Sequence, residues 1–328
     1  MIGIVYDGIT ALPKESLPPK DLLLQWYATV IQIEKQNQLL NERLKELVTL
    51  YRSKGIEPIL LKGQGVAQYY NQPLHRQSGD IDFYLPEKYD EANHLISSLG
   101  YKLAKENQQH TSFEWKGISV ENHFKPFFFY SSSNDKKAQK YKERLGQKPY
   151  DILIIDNITI FLPSPQTNIV YLFLHIFHHF ITGIGLRQIC DWVCLLNAKK
   201  YALDKLQLLR DINNLPINRS IRAFAYICVN YLGTDANIFP FDIISRKTQK
   251  DGEIILEDIF RNGNFAHETI EWNKYCEDTL NGKIIWWLHS LIRCLFIFRF
   301  CPSEAIAHPF ASLRFKLKNL VIKKSFKA

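Results

Sequence analysis

The sequence predicts an α+β fold in which N-terminal helices precede a small mixed sheet and a mainly helical half follows it. Three observations carry this expectation. Between Asp21 and Lys54 apolar residues recur every three or four positions, as at Leu40, Leu44, Leu47 and Leu50, among Glu, Lys, Arg and Gln. Between Pro58 and Leu162 the apolar runs become short or alternating and are punctuated by turn residues. From Pro165 onward the pattern is mostly helical. The expected divisions are 1–55 for leader and helices, 56–164 for the α/β core and 165–328 for the helical C-terminal domain.

Each element follows in order. Residues 1–19 read as an irregular leader ending at Pro18 and Pro19, and the long helix then runs to a stop at Gly55. Pro58 to Leu61 is a short apolar run before Lys62-Gly63, the pattern of a strand entering a turn. Val66 to Tyr70 reads as a short helix and Ser78-Gly79 as a turn. Asp80 to Leu85 alternates as a strand with a polar start, and Pro86 opens a helix reaching about Leu99. Strands are expected at Thr111 to Trp115, Ile118 to Phe124 and Asp151 to Leu162, the last folded back at Asp156-Asn157. Helices are expected at Asn168 to Phe180, Leu186 to Asn197, Leu203 to Ile212, Ile217 to Leu232 and Ile284 to Phe300.

Lys and Arg total 41 against 33 Asp and Glu, a formal charge of +8. A moderately basic surface suits a nucleotide, a nucleic acid or a lipid headgroup without choosing among them, and it is equally a solvated face with no partner. The six cysteines, Cys190, Cys194, Cys228, Cys276, Cys294 and Cys301, lie in apolar helical stretches and form no Cys-x-x-Cys pair. That argues against a zinc ribbon and for buried, reduced thiols in a cytoplasmic protein. The N-terminal MIGIVYDGITALPKES has no basic lead before an apolar run, so it does not read as a secretory signal. The most apolar late segment, Ile284 to Cys301, contains His289, Arg293 and Arg299. Those side chains are costly in lipid, so it reads as a buried helix, and no transmembrane segment is expected.

The chemistry-bearing stretch is ILLKGQGVAQYYNQPLHRQSGDIDFYL, from Ile59 to Leu85. On a strand, residues two apart share a face, so Asp80 and Asp82 would project together with Ile81 behind them. Two adjacent carboxylates repel, and a bound cation would relieve them. Mg²⁺ takes oxygen ligands and retains waters and phosphate oxygens in its shell, so the pair suits one or two Mg²⁺ ions holding a nucleoside triphosphate. Standing alone, Asp-x-Asp is more often a solvated strand end. The upstream Gly63 and Gly65 would let backbone amides approach a phosphate, a helix starting there would add its positive end, and Lys62 would supply a point charge.

Leu61-Lys62-Gly63-x-Gly65-Val66-Ala67, followed by Arg76-x-Ser78-Gly79-Asp80-Ile81-Asp82, resembles the polymerase-β-like nucleotidyltransferase superfamily. Within it, the chain resembles the bacterial "uncharacterised nucleotidyltransferase" family. The resemblance covers most of the chain from about Ile56, including His175 to Phe180, Gly183 to Trp192 and Arg261 to Phe265. It implies a turn at Gly63, a metal-binding pair at Asp80 and Asp82, and a third carboxylate on a neighbouring strand. Glu121 is the candidate for that third ligand or general base, and His123, on the same strand face, would contact phosphate or orient Glu121. A solvent-facing Glu and a hydrogen-bonded strand His are the plainer alternatives. Lys62, Gly63, Gln64, Arg76 and Ser78 would bind the nucleotide. Gln64 stands where the superfamily has Gly or Ser, which touches the cradling of phosphate.

His175 and His179 are four apart, but the His-Glu-x-x-His pattern of metalloproteases is absent. They read as cleft-lining or core histidines, and Arg187 and Asp191 as cleft residues or an intrahelical ion pair. The resemblance therefore implies an enzyme that moves a nucleoside monophosphate from an NTP such as ATP to an unidentified acceptor and releases pyrophosphate. The helical half would form the other wall of the cleft. An inactive nucleotide- or partner-binding module is the alternative that Gln64 favours. An RNA-directed transferase is permitted by the charge but not favoured, because the core shows no dense basic and aromatic stripe.

Overall fold

The runs between Pro58 and Leu162 form six strands: β1 (Ile59–Leu60), β2 (Asp80–Tyr84), β3 (His110–Trp115), β4 (Ile118–His123), β5 (Asp151–Ile155) and β6 (Ile158–Leu162). In this computed structural model, which describes residues 1–262 and 291–311, they make one mixed sheet in the order β3-β4-β2-β1-β6-β5. β2 runs parallel to β4 and β1 to β6, and the remaining pairs are antiparallel. Asp156-Asn157 turns β5 into β6 with positive φ at both residues, as a two-residue hairpin turn requires.

The chain divides into two units. The first comprises Met1–Phe127, Lys142–Ile169 and Cys194–Ala202 and contains the sheet. Its long helix, here numbered α2 (Lys20–Ser53), lays Leu40, Leu44, Leu47, Val48 and Tyr51 against Ile81, Phe83 and Leu85 of β2 and its extension. Helix α4 (Tyr89–Ser98) adds Ala92 and Ile96 to the same core. Apolar positions of β2 thus face the helices, and the intervening Asp80 and Asp82 occupy the opposite face.

The N-terminal segment corrects the expectation of an irregular leader: Ile2–Thr10 is a helix, α1. Its glycines and β-branched residues give it poor intrinsic propensity, so the sequence alone does not announce it. Tertiary contacts hold it instead. A Cβ at Gly3 would lie 2.2 Å from the His75 carbonyl, so only glycine permits this approach. His75 bonds Asp7 on α1 through Nδ1 at 2.6 Å and Glu34 on α2 through Nε2 at 2.9 Å.

That bridge makes the docking of α1 pH-dependent. Burial disfavours the charged ring, but the bonds to Glu34 and Asp7 outweigh it and raise the His75 pKa above its ordinary value. A raised folded-state pKa contributes stability that is complete below the unfolded value, about 6.5, and is lost as pH rises through the folded value. We expect amide exchange in α1, corrected for intrinsic rates, to quicken as pH climbs from about 6.5 upward. Substituting His75→Gln should flatten that dependence, and equal profiles for both proteins would refute the role.

The second unit comprises Phe128–Tyr141, Val170–Val193 and Leu203–Ala328 and is helical wherever its described residues are regular. The helices completing the chain are α3 (Gln64–Ala67), α5 (Ser132–Lys137), α6 (Gln139–Leu145), α7 (Pro165–Thr182), α8 (Leu186–Lys199), α9 (Lys205–Asn214), α10 (Asn218–Leu232) and α11 (Arg246–Asn262). Helical stretches at 291–298 and 302–311 follow. The core of this unit stacks aromatics: Phe173, Phe180 and Phe224 meet edge to face, and Trp192 lies against Phe173. The apolar segment from Ile284 is described only from 291, where Arg293 pairs with Asp258 and Arg299 with Asp251. Those pairs tie its half-buried cations to carboxylates of α11, but Ile292, Leu295 and Phe298 are exposed, so the helix expected to be buried is only partly so. No helix among the described residues is long and apolar enough to cross a membrane. Cys276 and the end of the Arg261 to Phe265 motif lie outside the described residues. Cys301 sits between helices rather than inside one.

Candidate active site

Register builds the site. In the parallel pairing of β2 with β4, Asp82 lies opposite Glu121 and Asp80 opposite Ser119. In the antiparallel pairing of β3 with β4, His110 lies opposite His123 and Ser112 opposite Glu121. Alternation then puts Asp80, Asp82, Glu121, His123 and His110 on one face. Asp80, Asp82 and Glu121 each offer an oxygen within 4.8 Å of the others. Oxygens around one Mg²⁺ at about 2.1 Å stand roughly 3 to 4 Å apart. The three carboxylates come within reach of one such shell, and the hard, all-oxygen donor set suits a cation of that kind.

The expectation that this cluster requires a metal to relieve its repulsion is corrected in part. Asp82 is 2 % exposed and already has two side-chain partners: Lys62 Nζ at 3.0 Å and His123 Nε2 at 3.0 Å from the same oxygen. Burial opposes ionisation of Asp82, but Lys62 and the His123 ring more than offset it, holding the carboxyl far below the usual range. Burial also disfavours the His123 cation, and its bonds to Asp82 and Glu121 at 3.2 Å reverse that and raise its pKa. His110 moves the other way, because burial outweighs the attraction of Glu121.

Beneath the acids lies a buried polar tie. Arg76 Nη1 donates to Ser78 Oγ at 2.7 Å, Ser78 Oγ donates to Gln64 Oε1 at 2.8 Å, and Gln64 Nε2 donates to Asn41 Oδ1 at 2.5 Å. Asn37 Nδ2 donates to the carbonyls of Leu74 and Arg76 at 2.6 and 2.9 Å. Helix α2 therefore grips both segments that lead into β2 and the turn after β1. Gln64, the departure from the superfamily turn, spends its amide on this tie. Substituting Gln64→Ala strands the Asn41 and Ser78 groups and is expected to destabilise the protein by roughly 1–3 kcal/mol. A urea midpoint that does not fall would show that the tie carries no load.

The turn itself is made by Gly63, whose φ of 50° and ψ of −124° suit no L side chain. α3 spans only four residues, Gln64–Ala67, rather than the expected Val66 to Tyr70, so a helix dipole there is slight.

His175 and His179 on α7 meet edge to face at 4.4 Å, and Arg187 and Asp191 lie on α8, all four in the second unit. Among the described residues, the groups whose ligand atoms gather are Asp80, Asp82 and Glu121, and His110, Glu121 and His123, neither of which includes them.

The sequence reading missed His110, Asn37 and Asn41. The first was accessible: a two-residue turn at Lys116-Gly117 pairs Trp115 with Ile118, and counting outward sets His110 against His123. The two asparagines interrupt the buried stripe of α2, a signal that a polar partner awaits them.

Two solved structures resemble the chain weakly. One is an antigenic nucleotidyltransferase-like protein from Paracoccidioides brasiliensis, 14% identical, covering 56% of this chain and 89% of its own at a TM-score of 0.35. The other is a tRNA nucleotidyltransferase complexed with a primer tRNA and an incoming ATP analog, 11% identical, covering 84% and 99% at a TM-score of 0.23. Neither likeness carries an argument about this chain. No curated protein matches it. Residues 1–233 match the family described as uncharacterised nucleotidyltransferase, and that span holds the whole sheet, the acidic cluster and the Gly63 turn. With 233 of 328 residues matched, the chain belongs to the uncharacterised nucleotidyltransferase family and is a nucleotidyltransferase.

Proposed function

We propose that the protein transfers a nucleoside monophosphate from an NTP to an acceptor hydroxyl, with Asp80, Asp82 and Glu121 holding one or two Mg²⁺ ions. The observation that carries this is the meeting of three carboxylates from adjacent strands within 4.8 Å. When bound, Mg²⁺ would offset phosphate charge and align the reacting oxygens. The acceptor oxygen attacks the α-phosphorus, the bond to the α,β-bridging oxygen breaks, and pyrophosphate leaves with that electron pair. Glu121 takes the acceptor proton, and its Oε2 accepts from His123 Nε2 at 3.2 Å. Lys62 and the backbone at Gly63 face the triphosphate, and the tie through Gln64, Ser78 and Arg76 fixes the two segments that present them. The free thiols of the five described cysteines suit a reducing, cytoplasmic setting.

A second reading has one observation in its favour. Lys62 and His123 already compensate Asp82, so the cluster is tolerable without metal, as a non-catalytic nucleotide-binding module would need. Incubation with each α-labelled NTP, Mg²⁺ and candidate small-molecule, protein and RNA acceptors separates the two. Label transfer that EDTA abolishes supports catalysis. Nucleotide binding without transfer to any acceptor class supports the silent module.

A further inference from the structure

We propose that the chain forms a weak two-fold dimer by pairing β5 with β5 of a second copy, antiparallel and centred on Leu153. The argument begins at the hairpin turn. Asp156 and Asn157 both have positive φ and join β5 to β6 as a two-residue turn. The residues flanking such a turn, Ile155 and Ile158, exchange both of their backbone bonds. Counting back in twos, Leu153 and Asp151 also direct their N–H and C=O groups at β6. Those of Ile152 and Ile154 point the other way, off the end of the sheet. Among the described residues no other hydrogen bond reaches them.

The two edges of the sheet differ. At the β3 edge the chain covers itself: the Ala104 N–H donates to the Ser112 carbonyl at 2.8 Å and the Asn107 N–H to the His110 carbonyl at 3.1 Å. At the β5 edge, the two residues that offer backbone groups also carry exposed apolar side chains, Ile152 at 44% and Ile154 at 61%. Leu153 and Ile155 pack with the core under α2, so both exposed isoleucines stand on the opposite face. The stretch 152–155 reads Ile-Leu-Ile-Ile in unbroken register, with none of the charge, proline or bulge that blunts an edge. Such an edge fits an extended strand.

A second copy supplies a strand that matches it. With the two-fold at Leu153, Ile152 of each copy lies opposite Ile154 of the other. Both are pairs of the kind that exchange two backbone bonds, so all the outward groups of these residues are used. The four exposed isoleucines meet in cross-strand pairs on one face. Moving the axis to Ile152 or to Ile154 would instead set the remaining isoleucine against Tyr150 or Asp156. The flanking acids oppose no like charge, since Asp151 faces Ile155 and Asp156 faces Tyr150 of the second copy. Each acid is also paired within its own chain, Asp151 with Lys199 and Asp156 with Lys45. One short strand is a small interface, below the roughly 800 Å² per partner of a standard complex, so dilute protein is monomeric and the Kd is on the order of 10–100 µM. The pairing is independent of the nucleotidyl-transfer reading.

Sedimentation equilibrium of the full chain from low to high micromolar concentration tests this, with circular dichroism to confirm that each variant is folded. The unsubstituted protein should show a monomer–dimer equilibrium. Ile154→Lys should weaken it by at least about tenfold, as expected when a charge enters the centre of an interface. Ile154→Pro removes an outward N–H and no bond to β6, so it should weaken the dimer as well. Should proline unfold the edge, Ile154→Lys still decides. Ile244→Lys, at a similarly exposed isoleucine of the second unit, should change nothing. Amide exchange at Ile152 and Ile154 should slow as concentration rises, while Leu153 and Ile155 hold constant. A monomer at every concentration overturns the proposal, as does a dimer that Ile154→Lys leaves intact or that does not slow the Ile152 and Ile154 amides. Protection of those amides in a lasting monomer by an added Thr-Val repeat peptide would assign the edge to a foreign strand and overturn it too.

Discussion

Asp80→Ala is expected to lower the rate of nucleotidyl transfer by about 10³-fold while the protein remains folded, the signature of a lost ligand rather than a lost fold. A metal clamp on a transferring phosphoryl group is worth several kcal/mol, and about 4 kcal/mol corresponds to that factor. Asp80 is the informative position because it is half-buried at the head of β2, where Asp82 is fully buried. Asp82 differs. It is buried between Lys62 and His123, and Asp82→Ala would remove the buried carboxylate that both cations share, at a cost of about 3–5 kcal/mol in stability. Asp82→Asn keeps the shape and removes the charge, so it should match Asp80→Ala in rate with a smaller loss of stability. Measured with a labelled NTP, transfer that survives both Asp80→Ala and Asp82→Asn would remove these residues from the chemistry whatever the family of the chain.

The contrast between these two aspartates marks what the sequence could and could not tell. Their common face follows from strand periodicity, which is local, and Ile81 is buried on the other side as that periodicity demands. The turn at Asp156-Asn157 and the long stripe of α2 were legible for the same reason. The Lys62 partnership with Asp82 was not, because it joins the end of β1 to the middle of β2 through a side chain whose direction no spacing fixes. α1 was invisible because its residues favour no helix until Gly3 and Asp7 meet His75, far along the chain. His110 was hidden by register, which one correctly read turn would have supplied. Glu121 was reached by resemblance to the family and not by spacing; the register that sets it beside Asp82 is a property of the parallel pairing.

Phe83→Ala should lower stability by about 3–5 kcal/mol, because it empties a fully buried site in the core between β2 and α2. Its ring meets Tyr51 edge to face at 5.7 Å. Tyr51 donates to Asn122 Oδ1 at 3.0 Å, and Asn122 Nδ2 donates to Asn93 Oδ1 at 2.9 Å, so the cavity would border a buried polar chain that packing keeps dry. Whole domains hold only about 5–15 kcal/mol, so the variant should sit near the edge of folding at physiological temperature. Ile152→Ala on the edge strand β5, where the side chain is 44% exposed, is the control and should cost within about 0.5 kcal/mol. Guanidinium denaturation of the two variants checks the pair, and a Phe83→Ala loss no greater than the control would mean that this face is not the core. The consequence reaches the site because β2 alternates. Asp82 and Phe83 are adjacent on one strand with opposite outlooks, so a strand that settles into the Phe83 cavity carries Asp82 away from Glu121. Activity measured well below the unfolding transition should therefore fall by more than the unfolded fraction accounts for, which ties the position of the carboxylates to the packing behind them.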